Sequence, residues 1–438
     1  MATMRRRIMR LAITSEGRDA GTARPAVGGV DAHRWKVLGV GVAANGSFAA
    51  ALTGLPATAV LMRSDYRLEL TDLGWVIGAM GLGVAVSELL WGMLTDRWGD
   101  RKVLLTGLGL TSLVLALMAL FLSPAASVTP SAGLLGGALL LVGVIGGSLN
   151  GSSGRAVMAW FGEGERGLAM SIRQMALPAG GAAGALLLPA LAESVGFRGV
   201  YGALAAMCLV TTGFVWLWLR EPPVTRPKGE PAARPGTGGT GLFRNGSVWR
   251  TVFGLGALCI PQIAVVTFAA VFLNDALHLG TTAISATIVA VQLGAAVARV
   301  WSGRYTDRRR NRRPFLKACA LLTAAVYGAL ALLVAVKPTG AGHHGALMLV
   351  GVGVLVVGGI VASSWHGIAF TELATIAGIT HTGAALGLGN TFAFGTYFLT
   401  PLAIPLLLDR GGWGAVWMAS ALAALLAFAL FPKAAATR

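Results

Sequence analysis

The chain has 438 residues, 55% of them hydrophobic and only 12% charged, with a net charge of +17. A soluble domain carries about 25% charged residues, so this composition fits lipid as the solvent, and 62 glycines give helices small faces for close approach. The positive charge falls in short clusters between apolar runs, with no zinc finger and no aromatic–basic stripe, which argues against nucleic acid as a partner. Cys208, Cys259 and Cys319 lie in apolar runs without metal-ligand spacing and read as small hydrophobes.

Residues 1–34 form a polar, basic stretch with Arg5, Arg6, Arg7 and Arg10 but no adjoining apolar core. It reads as a cytoplasmic tail rather than a cleavable signal. Crossing a bilayer takes roughly 20 mostly apolar residues, and twelve stretches qualify. In residues 35–219 they lie near 36–60, 73–95, 103–122, 132–154, 169–190 and 200–219. In residues 248–432 they lie near 249–273, 282–302, 315–336, 346–366, 383–407 and 414–431. Between these sets, residues 220–247 carry Pro222, Pro223, Pro227, Pro231 and Pro235 and cannot form a continuous helix. They read as a cytoplasmic linker, and residues 433–438 as a cytoplasmic tail.

Basic residues collect in alternate connections. With both termini inside, only Arg63, Arg67, Arg198, Lys337 and Arg410 remain on the far side. The positive-inside rule therefore predicts a multi-pass protein of the cytoplasmic (inner) membrane with both termini cytoplasmic.

The chain also repeats itself. Gly92, Asp96, Arg97, Arg101 and Lys102 recur 211 positions later as Gly303, Asp307, Arg308, Arg312 and Arg313. Each set forms a short charged turn between two apolar runs, as expected of two homologous helical bundles. The second turn holds Arg304, Arg308, Arg309, Arg310, Arg312 and Arg313. Such a run is first a solvated surface, with contact to anionic lipid as an addition.

Gly92-x-x-x-Asp96-Arg97-x-Gly99-x-Arg101-Lys102 resembles the signature loop between the second and third helices of the major facilitator superfamily. The turn at 303–313 resembles its weaker copy, with Arg310 where the first has Gly99. The resemblance covers about residues 35 to 432. It implies an all-α integral membrane protein with twelve transmembrane helices in two six-helix bundles, which rock about a central solute site. It also implies that Gly92, Asp96, Arg97 and Arg101, with Gly303, Asp307, Arg308 and Arg312, act as a conformational latch. The passage from Asn150 to Gln174 is similar to that of bacterial members carrying small organic solutes. Met175 to Gly181 resembles the fifth-helix motif of the family's proton-driven exporters, but Leu177 precedes Pro178 and one residue separates Pro178 from Gly180-Gly181. The family's cavity-lining helices make Asn45, Asn150, Gln174, Gln262, Gln292, Asn390 and Tyr397 neutral candidates for solute binding.

Charged groups inside a membrane carry a default functional hypothesis. Glu88, Arg173 and Arg299 qualify: Glu88 for proton coupling or gating, the two arginines for an anionic solute or for ties between bundles. Both arginines lie near the basic ends of their spans, where snorkelling to the interface is a further option. Glu372 and His366 are further titratable candidates. Gly351, Gly353, Gly358 and Gly359 have no lysine after them and make no phosphate loop, and no nucleophile elbow or metal set occurs, so neither enzyme chemistry nor a cofactor is expected. The resemblance implies a secondary transporter, expected to be coupled to protons and to work as a monomer among membrane lipids, and the balance of intramembrane charge favours a small organic anion, a carboxylate first, as its solute. A proton-driven drug or metabolite exporter is the alternative, and a non-transporting scaffold or receptor is a remoter one.

Overall fold

In hydrocarbon every backbone N–H and C=O must be satisfied within its own segment, which leaves the helix as the solution for a chain of this pattern. The computed structural model describes residues 27–125, 129–161, 169–170, 172–220, 244–335, 341–377 and 382–432. The expected tails and linker lie largely outside these residues. Eleven described helices are long and apolar enough to cross a membrane: His33–Asp65, Leu70–Thr95, Asp100–Phe121, Ala132–Val157, Ile172–Val195, Phe197–Trp218, Gly246–Asp275, Thr281–Arg309, Arg312–Ala335, Met348–Ala377 and Ala385–Leu430. The last is two spans, because Gly412 (φ 62) breaks the helix beside Gly411. Counted this way there are twelve, called spans 1 to 12 below.

The boundaries differ from the sequence reading in two places. The first helix begins at Val27, inside the segment read as tail. Span 10 breaks after Ser363 and resumes as a separate helix from His366 to Ala377. Proline is accommodated in two ways. Span 1 winds through a π turn at Ala50–Gly54 and a 3-10 turn at Leu55–Thr58, which carries Pro56 at its start. Spans 5, 7 and 11 instead continue through Pro189, Pro261, and Pro401 with Pro405.

The repeat extends to backbone conformation. Gly99 (φ 83) separates spans 2 and 3, and Arg310 (φ 49), its counterpart, adopts the left-handed region between spans 8 and 9. Gly196 (φ 75) and Gly412 (φ 62) likewise join spans 5–6 and 11–12. The same joints thus have positive φ in both halves, the three glycines with extended ψ and Arg310 with ψ 36 in the left-handed helical region.

Within the first half, span 2 packs on span 4, span 3 on spans 4 and 6, and span 1 on span 5. In the second half, spans 7 and 9 pack on the helix holding spans 11 and 12, and span 8 packs on span 10. The halves meet where span 2 crosses span 11 and span 5 crosses span 8. Glycine makes that boundary close. A Cβ on Gly78 would stand 2.9 Å from the Phe398 carbonyl oxygen, and Gly74 and Gly81 face Pro401 and Tyr397 as tightly. Gly181 of span 5 instead makes room for the Gln292 side chain of span 8, while Gly74 and Gly78 meet backbone. Close backbone approach of this kind is how helices associate where lipid supplies no hydrophobic drive.

Candidate functional site

Below these glycines, span 2 carries Glu88. Its Oε1 accepts from Asn150 Nδ2 of span 4 at 3.1 Å and from Asn390 Nδ2 of span 11 at 2.7 Å. The first bond stays within the bundle and the second crosses to the other. Oε2 is buried and has no hydrogen-bond partner among the described residues.

Asn150 is engaged at both ends, since its Oδ1 accepts from Arg173 Nη2 at 3.1 Å. Arg173 is only 2% exposed. Its Nη2 also donates to the main-chain oxygen of Asn150 and, at 2.9 Å, to Ser153 Oγ, while Nε donates to Ser153 Oγ at 3.1 Å. Asn45 of span 1 closes the ring. With its amide oxygen toward the guanidinium, it accepts from Arg173 Nε and Nη2 at 3.0 Å; the reverse orientation would set NH₂ against donors. Spans 1, 2, 4, 5 and 11 thus share one polar network, in which a carboxylate and a guanidinium hold opposite ends of a single amide. Burying either charge alone would be costly; here they offset one another.

Arg173 therefore does not snorkel to the interface, because internal acceptors surround its head. Arg299 is held more loosely. Its Nε donates to the Ser363 carbonyl at 3.1 Å, an oxygen at the break in span 10. Beside that break, the His366 ring packs against Trp365 and Phe370 at 4.6 and 5.4 Å, with Nδ1 lacking a hydrogen-bond partner among the described residues.

The remaining candidates are placed as follows. Tyr397 is buried, and its hydroxyl donates across the boundary to the Leu52 carbonyl. Gln292 is buried beside Gly181. Gln262 is half-buried, with Oε1 unpartnered among the described residues, and Gln174 is half-buried. Glu372 is buried and accepts from Arg313 Nε at 2.6 Å, an ion pair within the second bundle.

At the charged turns, Arg312 Nη2 donates to Asp307 Oδ1 at 3.0 Å, and Arg101 Nη2 donates to the Trp216 carbonyl at 2.8 Å. Arg97 and Arg308 are exposed, and the Asp96 side chain lies outside the described residues. Gly92 and Gly303 have open space where a Cβ would stand. The sequence reading assigned no role to Arg155 or Asp100. They form an ion pair at 2.7 Å, and Arg155 Nη2 also donates to the Thr95 carbonyl at 2.5 Å. The acid directly after Gly99 was the available signal, since a carboxylate in the first turn of a helix is favoured there. The ion pairs described on this arginine-rich side are all internal to one bundle. On the opposite side Arg63 of span 1 meets Asp275 of span 7 at 3.3 Å, joining the two. That pair lies in a cleft of about 440 Å³ lined also by Ser64, Arg67, Glu69 and Asn274.

The arrangement matches known proteins along most of its length. The profile of the Major Facilitator Superfamily matches residues 40–387. An uncharacterized MFS-type transporter of Mycobacterium tuberculosis is 30% identical over 367 residues, covering 82% of this chain and 76% of that protein. The probable anion transporter 5 of Arabidopsis thaliana is 35% identical over 178 residues, 39% of this chain and 38% of that one. Among solved structures, a bacterial homolog to the human lysosomal transporter Spinster, inward-facing and occupied, superposes with a TM-score of 0.69 at 14% identity, covering 91% of this chain and 95% of its own. With a twelve-span architecture, a doubled charged turn and these matches, the chain belongs to the Major Facilitator Superfamily of membrane transporters.

Proposed function

We propose that the chain moves a small organic anion across the membrane by alternating access and couples that movement to protons through Glu88. The observation that carries the reading is the network in which Glu88 holds Asn390 of the other bundle while sharing Asn150 with Arg173. Protonating Glu88 weakens its grip on two amide donors and leaves the charge of Arg173 without its counterweight. Positive potential at the boundary then rises and favours entry of an anion, for which Arg299 is the contact with the fewest internal acceptors. By linkage, a bound anion favours protonation to the same degree. Proton and anion then move together, as in symport. The partial likeness to a protein named as an anion transporter supports the solute class. Tight boundary packing away from the arginine-rich side supports a state open toward the cytoplasm.

The test is uptake by liposomes containing the purified protein, using a pooled panel of organic acids and cationic drugs, with and without an inward proton gradient. Acid uptake that rises with the gradient, together with loss of that dependence but not of solute exchange in Glu88→Gln, is the expected result. Gradient-driven accumulation that survives in Glu88→Gln overturns the coupling assignment. The unpartnered Oε2 of Glu88 favours a second reading, in which it meets a cationic solute. Cation flux opposite to the proton gradient would establish that exporter instead.

A further inference from the structure

The lipid-facing side of span 8 is organised from end to end. Leu293, Val297, Trp301 and Tyr305 follow at four-residue intervals and therefore share one face of the helix. The first three are 52%, 70% and 57% exposed. Gln292 and Arg299, two turns apart, occupy the opposite face. The stripe closes in an aromatic group: Trp301 stacks on Tyr305 at 5.3 Å and 19°, with Phe315 of span 9 beside them at 6.3 and 6.1 Å. Amphipathic rings of this kind sit at the level of lipid headgroups.

Directly beyond the rings, Arg304 and Arg308 emerge on the same face, both exposed, and the Arg309 guanidinium lies 5.5 Å from the Tyr305 ring centre. The neighbouring acids are already paired, Asp307 with Arg312 and Glu372 with Arg313. None of the described ion pairs includes Arg304, Arg308 or Arg309. The first half is not built this way. There Asp100 answers Arg155, and Arg101 is tied to a main-chain carbonyl. The arginine excess is a property of the second turn alone.

We propose that this face binds a phospholipid with an anionic headgroup. Its acyl chains run along Leu293, Val297 and Trp301, and its phosphate is held by the forks of Arg304, Arg308 and Arg309. Guanidinium suits a phosphate because it donates in a planar pair. A zwitterionic lipid would bring a cation of its own into a cluster already in cationic excess. Each arginine near an anionic surface contributes roughly a fivefold gain in binding, so the three together give on the order of a hundredfold.

The purified protein in neutral detergent is titrated with dioleoyl phosphatidylglycerol, dioleoyl phosphatidylcholine and inorganic phosphate. Bound lipid is read by native mass spectrometry and stabilisation by thermal unfolding. Phosphatidylglycerol is expected to bind and raise the unfolding temperature, while phosphatidylcholine and phosphate do neither. The triple substitution Arg304→Gln, Arg308→Gln, Arg309→Gln is expected to weaken phosphatidylglycerol about a hundredfold. The corresponding lysine triple, which keeps the charge but not the planar fork, is expected to bind between the parent and the glutamine triple, and Trp301→Ala weakens the lipid without altering the charge. Arg198→Gln, on the opposite side, changes nothing. Equal binding of the two lipids, or a glutamine triple that binds like the parent, overturns the proposal. Binding of inorganic phosphate as tight as that of the lipid overturns it too, since the site would then be one for a free anion. If the glutamine triple does not fold, Arg308→Gln and Trp301→Ala decide the matter separately.

Discussion

Glu88 and Asn390 stand 302 positions apart and meet at 2.7 Å, the amide of one bundle donating to the carboxylate of the other. A hydrogen bond to a charged group contributes about 1.5–3 kcal/mol, equivalent to about tenfold or more in a conformational equilibrium. Asn390→Leu is therefore expected to shift the population toward the state in which the Arg63–Asp275 cleft opens. A Val271→Cys reporter lines that cleft and is buried in this state, and its labelling by a membrane-impermeant maleimide should quicken about tenfold on the Asn390→Leu background. An unchanged rate would mean that the bond does not hold the boundary.

The two arginines are expected to respond differently to the same substitution. Arg173→Gln strands the acceptors of Asn45, Asn150 and Ser153 and leaves Glu88 without its counter-charge, so it should destabilise by about 3–5 kcal/mol. Arg299→Gln removes a donor to one carbonyl and should lower stability by only about 1–3 kcal/mol, while weakening anion transport. Thermal unfolding in detergent measures the first effect and liposome uptake the second. If Arg299→Gln leaves the apparent affinity for anions unchanged, the anion contact lies elsewhere.

Gly99 (φ 83, ψ 160) and Arg310 (φ 49, ψ 36) hold equivalent joints with positive φ, Gly99 in an extended region open essentially to glycine alone and Arg310 in the left-handed helical region. A side chain there costs about 1–2 kcal/mol relative to glycine. Arg310→Gly should therefore stabilise by about 1 kcal/mol and Gly99→Ala should destabilise by at least that much. Paired thermal-unfolding curves check both; a Gly99→Ala protein as stable as the parent would show that the joint can change hand.

Gly78→Leu drives a side chain into the backbone at Phe398. It should hold the bundles apart on the side of the cleft and raise labelling of the same Val271→Cys reporter. Gly109→Leu in span 3, which points into open space, should leave that labelling unaltered. Equal responses of the two would mean that glycine at the boundary acts through backbone freedom rather than through fit.

The spans were legible because hydropathy and a strict repeat each mark them independently, and the doubled turn fixed the halves relative to one another. Glu88, Asn150, Arg173 and Asn390 were each conspicuous as polar letters in apolar runs. Their joining was not, because it depends on the rotational phase of helices far apart in sequence. Whether Arg173 greets a solute or ties helices together is decided by how many acceptors surround it. Two of those are a serine hydroxyl and a main-chain oxygen, which hydropathy does not single out. The Arg155–Asp100 pair stayed hidden for a related reason: each residue looked like one more charge in a basic connection. The break in span 10 carries neither proline nor glycine at Ser364-Trp365, so no local breaker announced it.

The glycine contacts between spans 2 and 11 have a mechanical consequence. At Gly74 and Gly78, where backbone rests on backbone, there is little side chain to repack when the helices roll, and these contacts behave as a bearing with little friction of their own. Resistance to motion is then gathered into the polar bonds that cross the boundary, among the described residues Glu88 to Asn390, Tyr397 to Leu52, and Arg63 to Asp275. Turnover in such a machine can be retuned by single substitutions at those points, with the bearing itself left untouched.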